Sequence, residues 1–209
     1  MMSTKAQILK RTRKQRKGSV RLGVIADTHG LFDEAIPYHF SGVDYIVHAG
    51  DIGDRSILRK LEAIAPVMAV SGNVDGYERS GYPSERIIEL EGRHIGLRHV
   101  LFEGGKLTNQ GRAFLERERP DVCIFGHTHR PRAEWFGSTL LFNPGSAGPK
   151  RFALPRALGI MLISEGRVSG RHIALANRAA KPRSNKLPRK GLGKRIVARR
   201  ARGEEPNVY

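Results

Sequence analysis

The sequence is poor in cysteine and has no long hydrophobic run. Its single cysteine, Cys123, excludes an internal disulfide. Cys123 lies in the apolar run 122–125, which predicts a buried, unreactive thiol. The longest apolar runs, such as 160–163, are far shorter than the roughly 20 residues of a membrane span. The first residues are basic and show no secretory pattern, so we expect a soluble cytoplasmic protein without a transmembrane segment.

Acidic residues are scarce at both ends of the chain. Residues 1–17 contain seven Lys or Arg and no acid, and residues 178–209 contain eleven Lys or Arg against two Glu. These ends account for +7 and +9 of the net charge of +17, which leaves +1 for residues 18–177. Such runs bury little apolar surface. We therefore predict disordered basic tails at 1–17 and 178–209 around one folded domain at 18–177.

Aromatic residues are also scarce in these tails, where only Tyr209 occurs. Base stacking is therefore not offered, and any bound nucleic acid would be held electrostatically and without sequence preference. Other readings stay open: solvated tails without a partner, contact with an anionic membrane surface and, at the N terminus, an organelle transit peptide.

The central region alternates apolar runs with turn residues. Runs at 20–26, 44–49 and 67–70 predict three strands, and an apolar helical stripe between Asp54 and Pro66 predicts a helix. This order favours parallel pairing in a mixed α/β fold. The remaining predictions are a partly helical segment at 31–42, a hairpin at 86–90 and 94–97, a helix at 108–118, a strand at 121–125, and antiparallel strands at 135–136, 139–142, 158–163 and 168–174.

Polar side chains follow the carboxyl end of one predicted strand after another. In open α/β sheets such loops converge on one crevice, so residues remote in sequence meet in space. Oxygen and nitrogen donors of these types suit Mn²⁺, Fe²⁺, Zn²⁺ or Ni²⁺. Each short motif alone is an ordinary turn, but together they predict a metal centre. The residues are Asp27, His29, Asp51, Asn73, His99, His127 and His129.

These motifs resemble the calcineurin-like metallophosphoesterase superfamily over about residues 20–175. The resemblance is carried by Asp27-x-His29, Gly50–Asp51, Gly72–Asn73-x-Asp75, His99 and Gly126–His127-x-His129. Asn143–Pro144–Gly145–Ser146 is similar to the small bacterial and archaeal phosphodiesterase branch of that superfamily. The resemblance implies a four-layer α/β/β/α sandwich of two mixed β-sheets flanked by helices.

The resemblance also implies a binuclear centre that hydrolyses P–O bonds of a small phosphoester with a metal-bridging hydroxide. One cation would be bound by Asp27, His29, Asp51 and His129, and the other by Asp51, Asn73, His99 and His127. Asp51, Asn73 and His99 are the expected catalytic residues. Mn²⁺ is the first expectation for both ions, with Fe, Zn, Ni or Mg as alternatives.

Two positions depart from the family pattern. Val74 stands where the wider superfamily has a histidine that helps the leaving group, and Leu101 replaces the second histidine of a His-Gly-His motif. Neither side chain can donate a proton. Our hypothesis is therefore an enzyme that relies on its metals and favours leaving groups that need little acid assistance.

Two other functions remain open. One is a nuclease or nucleotide phosphoesterase whose basic tails hold a polyanionic substrate. The other is a non-catalytic scaffold, as in the retromer subunit that keeps this fold. Near the motifs, we expect His48 to be a packed residue, and Asp75 to orient a ligand or cap a loop instead of binding a metal. Arg130, Lys150 and Arg151 either contact substrate phosphate or form solvated surface.

Overall fold

The computed structural model describes residues 18–75, 81–151 and 153–176, and the backbone of short strands at 7–8 and 196–197. The predicted tails otherwise lie outside the described residues, so the domain limits stay a prediction. The described strands, in chain order, are β1 (Gln7–Ile8), β2 (Ser19–Ile25), β3 (Tyr45–His48), β4 (Val67–Ala69), β5 (Glu85–Leu90), β6 (Arg93–Arg98), β7 (Phe102–Glu103), β8 (Lys106–Leu107), β9 (Val122–Ile124), β10 (Arg132–Phe136), β11 (Thr139–Asn143), β12 (Ala157–Ser164), β13 (Arg167–Ala174) and β14 (Ile196–Val197). The described helices are α1 (Ile36–His39), α2 (Arg55–Glu62) and α3 (Asn109–Glu118).

The first sheet has the strand order β14-β13-β12-β2-β3-β4. Strands β2, β3 and β4 pair in parallel, as their order in the sequence predicted. Strand β12 pairs antiparallel with both β2 and β13. The three parallel strands therefore end at one edge of the sheet, where the loops with Asp27, Asp51 and Asn73 begin.

The second sheet has the strand order β1-β5-β6-β9-β11-β10. Strands β5 and β6 form the predicted antiparallel hairpin. Strand β9 pairs in parallel with β6 on one side and with β11 on the other. The antiparallel pairing predicted after residue 135 is confirmed between β10 and β11 and between β12 and β13. The parallel pairing of β11 with β9 was not predicted, because sheet neighbours depend on long-range hydrogen bonds that local patterns do not reveal. The hairpin of β7 and β8 was also not predicted.

Apolar side chains fill the spaces between four layers of helices and sheets. Between the sheets lies a buried cluster that includes Leu22, Ile95 and Phe142. Helices α1 and α2 pack on the outer face of the first sheet through residues such as Leu61, and α3 packs on the second sheet through residues such as Phe114. Fully burying one such side chain stabilises the fold by roughly 1.5–3 kcal/mol. The result is the expected α/β/β/α sandwich.

Side chains cap the first turns of two helices. The Asp54 carboxylate accepts a hydrogen bond from the Ser56 backbone N–H at 2.6 Å at the start of α2. Thr108 Oγ1 accepts one from the Gly111 N–H at 2.9 Å at the start of α3. Such side-chain caps are worth about 1 kcal/mol each. Cys123 is fully buried, as predicted, and burial raises its pKa to about 12, which disfavours the reactive thiolate. No helix within the described ranges is long and apolar enough to cross a membrane.

Candidate metal centre

The loops at the strand exits bring buried carboxylates and imidazoles together. In one group, His129 Nε2 lies 3.2 Å from Asp27 Oδ1 and 3.3 Å from His29 Nε2. One ligand atom from each of these residues lies within 4.8 Å of the other two. Asp27 is fully buried and His129 is nearly so. Three of the predicted donors therefore face one small space.

A second group shares the Asp27 carboxylate with the first. His99 Nε2 lies 3.4 Å from Asp51 Oδ2 and 3.9 Å from Asp27 Oδ1, and these three residues also lie within 4.8 Å of one another. Asp51 Oδ2 is in turn 3.9 Å from His29 Nε2. Asp51 thus stands between an imidazole of each group, and Asp27 belongs to both groups.

The last two predicted donors lie beside the second group. Asn73 Oδ1 and His127 Nδ1 are 3.0 Å apart, and the ring centroids of His127 and His99 are 5.5 Å apart. The His127 backbone N–H also donates to both carboxylate oxygens of Asp27 at 3.2 Å. Asn73 is exposed, which puts this pair at the open side of the cluster.

The orientation of His99 tests whether these donors fit a cation. Its Nδ1–H donates to the Ala49 carbonyl oxygen at 2.7 Å, which leaves a lone pair on Nε2. Within the described ranges, Nε2 is the one buried side-chain polar atom without a hydrogen-bond partner. It faces the carboxylates of Asp27 and Asp51, and a buried nitrogen in this position needs either a proton or a metal cation as its partner. The donor set therefore fits a divalent cation.

The ionisation of the cluster agrees with this reading. Burial alone would raise the pKa of Asp51, but the contact with His99 and the N–H of Val74 outweigh it and lower that pKa to about 2. Burial alone would lower the pKa of His99, but Asp51 and Asp27 outweigh it and raise that pKa. The carboxylate is thus ionised, and a proton on His99 competes with any cation.

Five of the seven predicted donors adopt left-handed backbone conformations. Their φ values are positive at Asp27 (53°), His29 (45°), Asp51 (54°), His127 (66°) and His129 (56°). Such conformations cost about 1–3 kcal/mol each and persist where the surroundings hold them. Backbone hydrogen bonds do so here: the Asp27 N–H donates to the Gly50 carbonyl at 2.9 Å, and the His29 N–H to that of Asp51 at 3.0 Å.

Asp75 caps the neighbouring loops, as predicted. Its carboxylate accepts hydrogen bonds from the backbone N–H groups of Ile52 at 3.0 Å, Gly53 at 2.9 Å and Gly72 at 2.8 Å. Gly72 passes so close to the site that a Cβ there would lie 2.0 Å from Asp51 Oδ1. Asp75 therefore joins the loops of Asp51 and Asn73, and it is not among the candidate ligands.

Asn143 braces the loop of the paired histidines. Its Nδ2 donates to the Gly126 carbonyl at 2.8 Å and to Thr128 Oγ1 at 3.1 Å, and its Oδ1 accepts from the Gly145 N–H at 2.8 Å. The sequence singled out Asn143 only through its family motif. Its physical role became evident from these contacts, because β11 runs beside β9.

His48 is a fully buried brace between two motif loops. The Gly50 N–H donates to His48 Nδ1 at 3.2 Å, so the neutral ring carries its proton on Nε2. Nε2 then donates to Thr28 Oγ1 at 2.9 Å, and Thr28 donates to the Ile52 carbonyl at 2.9 Å. This confirms that His48 is a packed residue and explains why it must stay neutral.

The neutrality of His48 predicts a pH dependence of stability. Burial lowers its pKa from 6.5 to about 4. As pH falls below 6.5, the unfolded chain gains a proton that the folded chain excludes, which removes about 3 kcal/mol of stability by pH 4. We expect the free energy of unfolding of metal-free His48→Gln to fall about 3 kcal/mol less than that of wild type between pH 7 and pH 4. Urea unfolding measures the free energy of unfolding of both proteins at each pH. The same pH dependence in wild type and His48→Gln would contradict the prediction.

The other sequence candidates lie around the site. Val74 is 50% exposed, and its backbone N–H donates to Asp51 Oδ1 at 3.1 Å. Leu101 is fully buried in the apolar cluster under α3. Arg130, Lys150 and Arg151 are exposed. Val74 therefore lies beside the candidate ligands. Leu101 instead packs in the apolar cluster under α3.

Comparison with known proteins agrees with this geometry. Residues 20–166 match the calcineurin-like phosphoesterase superfamily domain, and the chain belongs to this superfamily of metallophosphoesterases. It is 35% identical over 149 residues to a probable metallophosphoesterase of Methanothermobacter thermautotrophicus, covering 69% of this chain and 87% of the relative. It is 39% identical over 137 residues to another from Methanocaldococcus jannaschii, covering 62% of this chain and 69% of the relative.

Solved structures share the fold at lower identity. A conserved predicted phosphoesterase of Streptococcus pneumoniae is 23% identical, with a TM-score of 0.63 over 88% of this chain and 100% of the other. Vacuolar Protein Sorting 29 of Cryptosporidium parvum is 18% identical, with a TM-score of 0.67 over 87% and 98%. A novel archaeal phosphodiesterase is 21% identical, with a TM-score of 0.56 over 74% and 99%.

Proposed function

We propose that this protein is a phosphodiesterase that depends on two divalent cations. The observation that carries the proposal is the unpartnered Nε2 of His99, which faces the buried carboxylates of Asp27 and Asp51. Membership of the superfamily supports phosphoester hydrolysis. The archaeal phosphodiesterase of similar fold supports a diester as the substrate.

The two ions would divide the donors between them. Asp51 would be shared, because its carboxylate lies near an imidazole of each group. Mn²⁺ is the first candidate, and Fe, Zn, Ni or Mg can use the same donors. When bound, a metal pair lowers the pKa of water and offsets charge on the phosphoryl oxygens. The proposed sets are Asp27, His29, Asp51 and His129 for one ion, and Asp51, Asn73, His99 and His127 for the other.

The side chains of this chain would prepare the site for a phosphate group. Only two of the seven donors carry negative charge, so the loaded centre keeps a net positive charge that attracts a small anionic phosphoester. The Ala49 carbonyl fixes the tautomer of His99, as outer partners of ligating histidines do. Asn73 and His127 lie on the open side, where a substrate would enter.

Metal removal tests the proposal directly. We expect the chelated protein to lose hydrolysis of bis-nitrophenyl phosphate and 2′,3′-cyclic nucleotides, and added Mn²⁺ to restore it with two ions bound per chain. Elemental analysis gives the stoichiometry, and the rate of product release gives the activity. Wild-type protein that hydrolyses these diesters after complete metal removal would overturn the proposal.

The same assay separates the alternative functions. RNA cleavage faster than diester cleavage would favour a nuclease aided by the basic tails, and deleting 178–209 would then weaken nucleic-acid binding. Metal binding without turnover of any phosphoester would favour a scaffold. The complete donor set argues against a scaffold, because protein contacts alone give no reason to bury two carboxylates around a free imidazole lone pair.

A further inference from the structure

Arg156 is a buried charge close to the candidate metal centre. Its side chain is only 3% exposed, and arginine is almost never buried unless it is paired. Its Nε donates to the Gly148 carbonyl at 2.6 Å, and its Nη1 donates to the Ala176 carbonyl at 2.9 Å. Its Nη2 donates to the Ala147 carbonyl at 2.8 Å and lies 2.7 Å from Asp33 Oδ2. All three nitrogens of the guanidinium therefore have acceptors.

The peptide group between Ala147 and Gly148 connects this arginine to Asp27. Its carbonyl accepts from Arg156, while its N–H donates to the Asp27 carbonyl at 3.0 Å. Ser146 Oγ donates to the same Asp27 carbonyl at 3.0 Å. A cationic donor polarises such a chain and strengthens its next hydrogen bond. The charge of Arg156 therefore acts on the backbone that holds Asp27 at positive φ.

Asp33 completes the arrangement from the other side of the ligand loop. One carboxylate oxygen pairs with Arg156, and the other accepts from the Ala35 N–H at 2.9 Å. Asp33 follows Asp27 and His29 closely in the sequence. The guanidinium of Arg156 therefore binds both the segment with Asp33, which follows Asp27 and His29, and the peptide of Ala147 and Gly148, which contacts the Asp27 carbonyl.

We propose that Arg156 and Asp33 are a positioning pair that holds Asp27 in the conformation needed to bind a cation. The proposal rests on the cation binding proposed above. Neither residue reaches the ligand atoms, so the effect passes through the peptide of Ala147 and Gly148. A role in stability alone would lower the free energy of unfolding without changing the affinity for a cation.

Mn²⁺ titration calorimetry and urea unfolding of the full chain separate these two roles. We expect Arg156→Met to weaken Mn²⁺ binding by about 10–100-fold, as for other outer partners of metal ligands. Arg156→Lys should recover only part of this loss, because lysine keeps the charge but not the planar fork. Asp33→Asn should weaken binding in the same direction.

Arg93→Met is the matched control. Arg93 also pairs with an aspartate, Asp121, and donates to the Gly166 carbonyl, but it lies away from the ligand loops. This variant should lose stability and bind Mn²⁺ like wild type. Unchanged affinity in Arg156→Met overturns the positioning role and leaves the proposed function intact. If that variant does not fold, unchanged affinity in Asp33→Asn overturns it instead. Wild-type protein that binds neither Mn²⁺ nor any of Fe²⁺, Zn²⁺, Ni²⁺ and Mg²⁺ overturns both proposals.

Discussion

Asp51→Asn is expected to reduce diester hydrolysis by about 10²–10³-fold, the range for removing one preorganised charged or polar group from an active site. The substitution keeps the shape of the side chain and removes one of only two carboxylates in the cluster. Asp51 lies 3.4 Å from His99 Nε2 and 3.9 Å from His29 Nε2, so both groups lose a negative charge. Steady-state rates with bis-nitrophenyl phosphate at saturating Mn²⁺ measure the effect.

The same variant should hold fewer ions per chain than wild type. Asp121→Asn serves as its control, because this carboxylate pairs with Arg93 and accepts from the His94 N–H outside the cluster. A normal rate with two bound ions in Asp51→Asn would show that Asp51 is not shared between the cations.

Val74→His is expected to raise the rate with alkyl phosphoesters by at least about 10²-fold relative to the rate with nitrophenyl esters, because a general acid typically contributes 10²–10⁴-fold. Val74 is half exposed, and its N–H donates to the carboxylate of Asp51. An imidazole at this position could protonate a departing alkoxide. Nitrophenolate needs no such proton, so the ratio of the two rates isolates this contribution.

Val74→Gln is the matched variant, since its side chain is polar and of similar size but is not a proton donor of suitable pKa. It should leave the ratio unchanged. Comparable turnover of alkyl and nitrophenyl esters by the wild-type protein would contradict the hypothesis. Because Leu101 is fully buried in the apolar cluster under α3, a histidine there would not replace the missing donor.

The sequence predicted the seven candidate donors because they are Asp, Asn and His residues that come just after apolar runs. It also predicted the parallel pairing of β2, β3 and β4, since helical segments separate them. It did not predict that β11 lies parallel to β9, which is the pairing that places Asn143 behind the histidine loop. That neighbour relation arises from long-range backbone hydrogen bonds.

The supporting charges were less visible than the donors. Arg156 stands at the start of an apolar run and reads as a solvated strand end, whereas Asp33 reads as part of a turn. Their contact at 2.7 Å exists only after the chain has folded. The closeness of Asp27 to both groups likewise depends on loops that are distant in sequence and meet only in the folded chain.

The left-handed backbone at five of the donors restricts which amino acids these positions can accept. Aspartate and histidine, with asparagine, are the non-glycine residues that tolerate positive φ most readily, and they are also oxygen and nitrogen ligands. Glutamate carries the same charge as aspartate, but it adopts positive φ less readily and its longer side chain moves the carboxylate. Exchanging aspartate for glutamate here would thus be a conservative change in charge alone, and directed libraries at Asp27 or Asp51 should recover aspartate almost exclusively.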